Sequence, residues 1–313
     1  MAKKIDIIVP CYNEQEILNE TNTHLVDLVE SLIKENLIDK DSFIYYVDDG
    51  SKDNTWKIIE EFSVQNYNVK GIKLSSNRGH QNALLSGLLY SKADAAISID
   101  ADLQDDTSVI PEMVNNFADG YDVVYGVRNN RKKDTFFKRH TAQGFYKFMK
   151  VMGVNIVYNH ADYRLLSRSV LDALREYKEI NLFLRGIIPL IGYKSANVYY
   201  ERKERTAGDS KYNVKKMLSF AWDGVTSFSI TPLRIITSLG FLIFIGSLIV
   251  VAWVLFIRFF TSDAVPGWAS TALPIYFIGG VQILSIGIVG EYVGKIYLES
   301  KNRPRYIIEK VID

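Results

Sequence analysis

The sequence predicts an α/β fold with a mostly parallel sheet, followed by interfacial helices and two transmembrane helices. Over roughly the first two thirds of the chain, short apolar runs alternate with helical patterns, which is typical of a parallel sheet covered by helices. The last third instead contains two long runs without a charged residue. The mean hydropathy of zero averages these two unlike parts and conceals the second.

Composition excludes several classes of protein. The chain has 313 residues, 48% of them apolar and 23% charged, which is ample for a buried core. A net charge of +1 gives no general attraction to nucleic acid, so no nucleic-acid partner is expected. The single cysteine, Cys11, excludes a disulfide framework and a cysteine-based zinc site.

Five strands are predicted in order at about 5–10, 43–51, 69–75, 95–104 and 122–127, with helices at about 14–34, 54–63 and 80–92 between them. Ligands of such sheets bind beyond the carboxyl ends of the strands. The candidate binding residues stand at these ends: Asn13, Glu14, Asp48, Asp49, Asn77, Arg78, Asp100, Asp102 and Arg128.

Two membrane spans are predicted at 235–257 and at about 269–297, because a helix needs about 20 apolar residues to cross a bilayer core of about 30 Å. Basic residues lie before the first span and after the second, and such residues favour the cytoplasmic side. They are Lys211, Lys215, Lys216, Arg234, Lys295, Lys301, Arg303 and Arg305. We therefore expect a multi-pass protein of the inner (plasma) membrane with both termini and the first domain in the cytoplasm.

These observations divide the chain into a cytoplasmic domain at 1–210, a juxtamembrane amphipathic helix at 211–232, a two-helix transmembrane domain at 233–298 and a cytoplasmic tail at 299–313. Gly280, Gly287 and Gly294 share one face of the second span. Small faces allow transmembrane helices to approach closely. This face packs either the two spans together or two protomers of a homo-oligomer, and the sequence leaves both open.

An acidic cluster, DADLQD, follows the predicted fourth strand. If the chain is extended there, the side chains of Asp100, Asp102 and Gln104 lie on one side. Such oxygen ligands suit Mg²⁺ or Mn²⁺ held together with substrate phosphates. The alternative is a solvated acidic turn, but a second acidic turn at Asp48 and Asp49 favours a metal–diphosphate site. The motifs GxGxxG, GxxxxGK[ST], HExxH and GxSxG are absent where they would be expected.

Four motifs in order carry a family resemblance: PCYNE at 10–14, VDDGS at 47–51, DADLQD at 100–105 and DYRL at 162–165. Together they resemble the inverting family 2 glycosyltransferases of GT-A fold. The most similar group is the polyisoprenyl-phosphate glycosyltransferases, which include dolichol-phosphate mannose synthases and bactoprenol glucosyltransferases. The resemblance extends over the whole chain.

The resemblance implies a role for each matching residue. The nucleotide-sugar pocket is expected to involve Pro10, Tyr12, Asn13, Glu14, Asp48, Asp49, Arg78, Asp100, Ala101 and Asp102, with Asp49 near the base. Mg²⁺ or Mn²⁺ is expected at Asp100, Asp102 and Gln104. The acceptor phosphate is expected at Arg128, Arg202, Arg205 and Lys211, and the catalytic set is Asp162, Asp102, Arg128 and Arg164. Asp162 either assists as a base or positions the acceptor.

The expected reaction is transfer of a single glucose from UDP-glucose to undecaprenyl phosphate at the cytoplasmic membrane face. Processive relatives carry a QxxRW motif, which this chain lacks, so single-sugar transfer is favoured. Another sugar (mannose or an aminosugar) and a non-lipid acceptor remain alternatives. An inactive membrane scaffold is disfavoured by the intact acidic motifs.

Overall fold

Within the described residues, an eight-stranded sheet and six α-helices belong to the first of two compact units, and two long helices belong to the second. The computed structural model describes residues 2–128, 160–180, 182–201, 226, 229, 231–260 and 268–313. The strands are β1 Ile5–Cys11, β2 Ile44–Asp48, β3 Val69–Leu74, β4 Ala95–Ser98, β5 Val123–Arg128, β6 His160–Ser167, β7 Ser195–Tyr200 and β8 Ile308–Ile312.

The sheet order is β7-β5-β6-β4-β1-β2-β3-β8. The central strands β4, β1, β2 and β3 are parallel, β6 is antiparallel to β4 and β5, and β8 is antiparallel to β3. Every residue of β1 and β2 is buried, as expected for strands that are covered on both faces. Register pairs Cys11 with Asp48 and Ile8 with Ser98, so these strands end at one edge.

The helices of the first unit are α1 Leu18–Lys34, α2 Thr55–Gln65, α3 His80–Tyr90, α4 Ile110–Ala118, α5 Arg168–Glu176 and α6 Leu184–Ile191. Amphipathic patterns explain their placement: α1, for example, buries Leu18, Leu25, Val29 and Leu32 on one face. In α6 the apolar side chains of Leu184, Ile187 and Ile188 are buried, so this segment belongs to the core of its unit.

All five predicted strands are confirmed, but the fourth is shorter than expected. It ends at Ser98 and does not continue through the acidic cluster. Leu103 has a φ of 52°, and the backbone N–H of Gln104 donates to Asp102 Oδ1 at 3.2 Å. This local turn replaces the extended backbone, so the expectation that Asp100, Asp102 and Gln104 alternate along a strand is wrong.

A buried carboxylate at the amino ends of the strands should contribute to stability. Asp6 accepts hydrogen bonds from the Phe43 N–H at 3.0 Å and from the Ser91 hydroxyl at 2.6 Å. Burial raises the pKa of Asp6. We expect Asp6→Leu to lower the free energy of unfolding by about 1–3 kcal/mol, because both donors lose their acceptor. Asp6→Asn keeps an acceptor and should cost less in urea titrations, and equal losses would contradict this assignment.

The second unit contains α7 Thr231–Phe260 and α8 Trp268–Ser300, which cover both uncharged runs. Within the described residues, one stretch, Phe277–Ser300, is long and apolar enough to span a membrane, with a mean hydropathy of 1.5. Thr231–Ile243 of α7 forms a shorter apolar helix. A Cβ placed on Gly280, Gly287 or Gly294 would meet no described atom within 4 Å, so this face of α8 does not pack against the described side chains of α7.

Candidate active site

Two loops beyond β1 and β2 are held together by hydrogen bonds. The Asn13 N–H donates to Ser51 Oγ at 2.9 Å, and Asn13 Oδ1 accepts from the Lys52 N–H at 2.8 Å. The Glu14 N–H donates to Thr55 Oγ1 at 2.9 Å. Asn13 has a φ of 55°, a conformation that asparagine tolerates better than most residues. These contacts hold the two loops together at the edge of the sheet where the parallel strands end.

The two acids of VDDGS are buried and bind neighbouring backbone. Asp49 Oδ1 accepts from the Arg78 N–H at 2.7 Å, and Oδ2 accepts from the Gly79 N–H at 2.9 Å. Burial raises the pKa of Asp49, and these two hydrogen bonds oppose that rise. Asp48 Oδ1 accepts from the Ser51 N–H at 3.1 Å. The pair therefore ties the loop before α3 to the end of β2, and a contact between Asp49 and a base stays a prediction.

The acidic loop after β4 presents carboxylates of different exposure. The side chain of Asp100 is 36% exposed, Asp102 is half-buried and Gln104 is buried. The Thr21 hydroxyl donates to the Ala101 carbonyl at 2.7 Å and anchors the loop to α1. The predicted Pro10 on β1 is buried, whereas Tyr12 is half-buried.

Asp162, at the start of β6, lies between two arginines. Its carboxylate accepts a hydrogen bond from Arg164 and binds Arg185 through Nε at 3.2 Å and Nη2 at 2.9 Å. Burial alone would raise the pKa of Asp162, but the guanidinium groups of Arg185 and Arg164 outweigh burial and hold that pKa well below the usual range. Asp162 is therefore ionised and a weak base.

Arg164 is fully buried, and its Nε and Nη1 have no hydrogen-bond partner among the described residues. Its Nη2 bond to Asp162 is thus the contact that compensates the buried charge. Arg185, from the first turn of α6, has a side chain that is 32% exposed. The two arginines therefore differ: Arg164 anchors Asp162 from the core, and Arg185 contacts it from the surface.

His80, the first residue of α3, lies between the two acidic groups. Its Nε2 is 3.4 Å from Asp100 Oδ1 and 3.8 Å from Asp162 Oδ2. Partial burial raises the pKa of Asp100, and His80 lowers it. The negative charges of Asp105 and Asp162 raise it further. The structure thus brings together Asp100 and Asp162, which the sequence placed in separate motifs.

Arg128, at the end of β5, forms a second cluster with two residues that the sequence reasoning missed. Its Nη2 is 3.1 Å from Asp105 Oδ1, and its Nε donates to the Tyr200 hydroxyl at 3.2 Å. The Tyr200 hydroxyl also donates a hydrogen bond to Asp105. Asp105 could have been suspected from its place in DADLQD, whereas nothing local to Tyr200 indicates the contact.

The described residues contain no group of three or more His, Cys, Asp or Glu side chains that could hold a metal ion. Asp100 and Asp102 still offer two carboxylates at one strand end, and the pKa of Asp100 is raised by burial first and by neighbouring carboxylates second. Two carboxylates suit Mg²⁺ or Mn²⁺ when substrate phosphates and water complete the coordination. The residues therefore fit a divalent cation that arrives with a diphosphate.

Some predicted residues lie outside the described part of the chain. These are Arg202, Arg205 and Lys211, together with most of the predicted juxtamembrane helix at 211–232. Arg185 is the third site residue that sequence reasoning missed, and its signal was a lone arginine in the apolar run FLRGIIPLIG.

Comparisons with known proteins agree with this architecture. Residues 6–175 match the model of glycosyl transferase family 2. The chain is 52% identical over 307 residues to glycosyltransferase YkoT of Bacillus subtilis, covering 97% of this chain and 91% of that one. It is 38% identical over 312 residues to the prophage bactoprenol glucosyl transferase homolog of Escherichia coli, covering 98% and 99%.

A bactoprenol glucosyl transferase of Shigella phage SfII is also 38% identical, over 98% of both chains. Among solved structures, mannosyl-3-phosphoglycerate synthase from Rubrobacter xylanophilus aligns with a TM-score of 0.48 and 15% identity, covering 76% of this chain and 75% of that one. The family match spans more than half of the chain, and the relatives match nearly all of it. The chain therefore belongs to glycosyl transferase family 2 and is a glycosyltransferase.

Proposed function

We propose that this glycosyltransferase transfers a single glucose, with inversion, from UDP-glucose to undecaprenyl phosphate at the cytoplasmic face of the membrane. The observation that carries the proposal is the similarity to proteins named bactoprenol glucosyl transferase, which extends over nearly the whole length of both chains. The product is a lipid-linked monosaccharide.

The charges at the site suit two anionic substrates. A lipid phosphate is already anionic at neutral pH, so its oxygen needs little help from a general base. Asp162, whose pKa is held low by Arg185 and Arg164, is suited to positioning the acceptor rather than to removing a proton. Bringing a phosphate and a diphosphate together instead requires cations and orientation. Arg128, with the predicted Arg202, Arg205 and Lys211, is assigned to the acceptor phosphate.

The donor is assigned to the edge formed by β1, β2 and β4. Asp100 and Asp102, with the predicted Gln104, would hold Mg²⁺ or Mn²⁺ together with the donor diphosphate. When bound, such a cation neutralises the charge that develops on the leaving diphosphate. The hydrogen-bonded loops at Asn13 and Ser51 would form one side of the nucleotide pocket. The remaining residues assigned to the donor are Pro10, Tyr12, Glu14, Asp48, Asp49, Arg78 and Ala101.

The membrane arrangement is supported by the path of the chain. The strand β8 follows α8 and pairs with β3, so the chain leaves the sheet before α7 and returns to it after α8. A chain that starts and ends on one side of a membrane crosses it an even number of times. A span in α8 therefore requires a second span, which α7 would provide. Basic flanks favour the cytoplasm for both termini.

The test supplies the full-length purified protein with undecaprenyl phosphate, Mg²⁺ or Mn²⁺, and a panel of nucleotide sugars. We expect transfer from UDP-glucose to exceed transfer from GDP-mannose and UDP-N-acetylglucosamine, and we expect a chelator to abolish it. Preference for another nucleotide sugar would replace glucose in the proposal. Transfer that does not depend on a lipid phosphate would overturn the acceptor assignment, and transfer that survives chelation would overturn the metal assignment.

A further inference from the structure

We propose that Tyr200 and Asp105 are positioning residues that hold the guanidinium of Arg128 in the orientation that binds the acceptor phosphate. This inference rests on the proposed function, because it takes the acceptor to be a phosphate bound by Arg128. It adds Tyr200 of β7, which lies in none of the motifs, and Asp105 of DADLQD, to which no role was assigned from the sequence.

The contacts form a closed set of three side chains. The Tyr200 hydroxyl donates to Asp105 Oδ1 and accepts from Arg128 Nε at 3.2 Å, while Arg128 Nη2 binds the same carboxylate oxygen at 3.1 Å. One edge of the guanidinium, Nε and Nη2, is therefore occupied. Among the described residues, no hydrogen bond is made by Nη1, which leaves it for another acceptor.

Burial distinguishes the anchor from the group that it orients. The Asp105 side chain is 1% exposed and Tyr200 is 3% exposed, whereas the Arg128 side chain is 29% exposed. A guanidinium that is anchored on its inner edge by buried partners keeps its outer edge accessible. Arginine side chains lose rotamer entropy when they are fixed, so fixing Arg128 before the substrate arrives favours binding.

The anchor itself is rigid. The Tyr200 ring packs edge-to-face on Tyr163 with 5.4 Å between ring centroids, and the Tyr163 hydroxyl donates to the Asp106 carbonyl at 3.0 Å. Burial raises the pKa of Tyr200, which keeps its hydroxyl protonated as a donor. The tyrosine therefore has a fixed ring and a fixed hydrogen-bond direction, and it acts through Arg128.

The experiment compares the full-length wild-type protein with Tyr200→Phe and with the matched control Tyr199→Phe. Tyr199 is the preceding residue on β7 and is 55% exposed. The Tyr199→Phe variant therefore shows the effect of removing a tyrosine hydroxyl that lies outside the cluster. We expect Tyr200→Phe to raise the KM for undecaprenyl phosphate about tenfold, as for loss of one hydrogen bond to a charged group. The KM of Tyr200→Phe for UDP-glucose should stay within about twofold of wild type. In Tyr199→Phe, the KM values for both substrates should stay within the same range.

A double-mutant cycle with Arg128→Lys tests whether the tyrosine acts through the arginine. We expect Tyr200→Phe to add little to the effect of Arg128→Lys, because the bond to Nε is already lost. If the melting temperature shows that Tyr200→Phe does not fold, Asp105→Asn takes its place in the test. This change keeps the size of the side chain and should raise the same KM.

The possible failures are distinguishable. If the wild-type protein transfers sugar to the lipid phosphate but the acceptor KM is unchanged in Tyr200→Phe, this inference alone is overturned. Additive effects of the two changes, or equal rises in both KM values, would also overturn it, because a general structural defect would then explain the loss. If transfer by the wild-type protein does not depend on the lipid phosphate, both this inference and the proposed acceptor are overturned.

Discussion

Replacing Asp102 with asparagine is expected to reduce sugar transfer by about 100- to 1000-fold while leaving the fold intact, because the cation that would neutralise the leaving diphosphate loses a carboxylate ligand. Asp102 is half-buried, and the hydrogen bond that it accepts from the Gln104 N–H can be kept by the asparagine oxygen. The measurement is kcat/KM for UDP-glucose at saturating Mn²⁺, together with the melting temperature.

The matched control for this change is Asp106→Asn in the same loop. Asp106 caps the short helical turn at Thr107–Val109 by accepting from the Ser108 N–H at 3.1 Å, a bond that asparagine can also accept. Activity of Asp106→Asn should stay within about twofold of wild type. If Asp102→Asn retained full activity, or if both variants lost it equally, the assignment of Asp102 to the metal would be wrong.

The second large effect is on stability. Asp162→Ala is expected to lower the free energy of unfolding by about 3–5 kcal/mol, because it leaves the fully buried Arg164 without its carboxylate. Urea titration of the detergent-solubilised protein would measure the loss. Asp172→Ala removes an exposed partner of Arg168 and Arg175 and should cost about 0–1 kcal/mol.

Rescue and pH dependence sharpen this prediction. Arg164→Met in the Asp162→Ala background should restore part of the stability, because it removes the uncompensated charge. The pKa of Asp162 is lowered in the folded protein, so its stabilising contribution is fully present above the ordinary pKa of about 3.9 and is lost only as the pH falls through the lowered value. The stability difference between Asp162→Ala and wild type should therefore persist from about pH 5 to 8. A difference that disappears within this range would contradict the charge pairing.

The sequence was most informative where the signal is local. Apolar runs flanked by polar turns predict β1 to β5, because buried parallel strands are apolar along their whole length. The strands β6, β7 and β8 were not predicted. β7 alternates exposed and buried residues at a sheet edge, and β8 pairs with β3 across more than 200 residues, so neither pairing is visible in a local pattern.

The same distinction applies to the candidate site. The acids of DADLQD and VDDGS were identified because their motifs are contiguous, and their positions at strand ends follow from the fold. The partners of Asp162 and Arg128 were not all identified, because Arg185 and Tyr200 reach them from other elements. A turn centred on Leu103, with its positive φ, could not be predicted from a residue type that rarely adopts that conformation.

Mass spectrometry of the lipid product shows directly whether the protein transfers one hexose to undecaprenyl phosphate. The full-length protein would be incubated with undecaprenyl phosphate, excess UDP-glucose and Mg²⁺, and the lipid fraction would be analysed over time. We expect one new lipid whose mass exceeds that of undecaprenyl phosphate by a single hexose, with no larger species at long times. A lipid fraction that never gains a hexose from any nucleotide sugar, or that accumulates several hexoses, would contradict the proposed reaction.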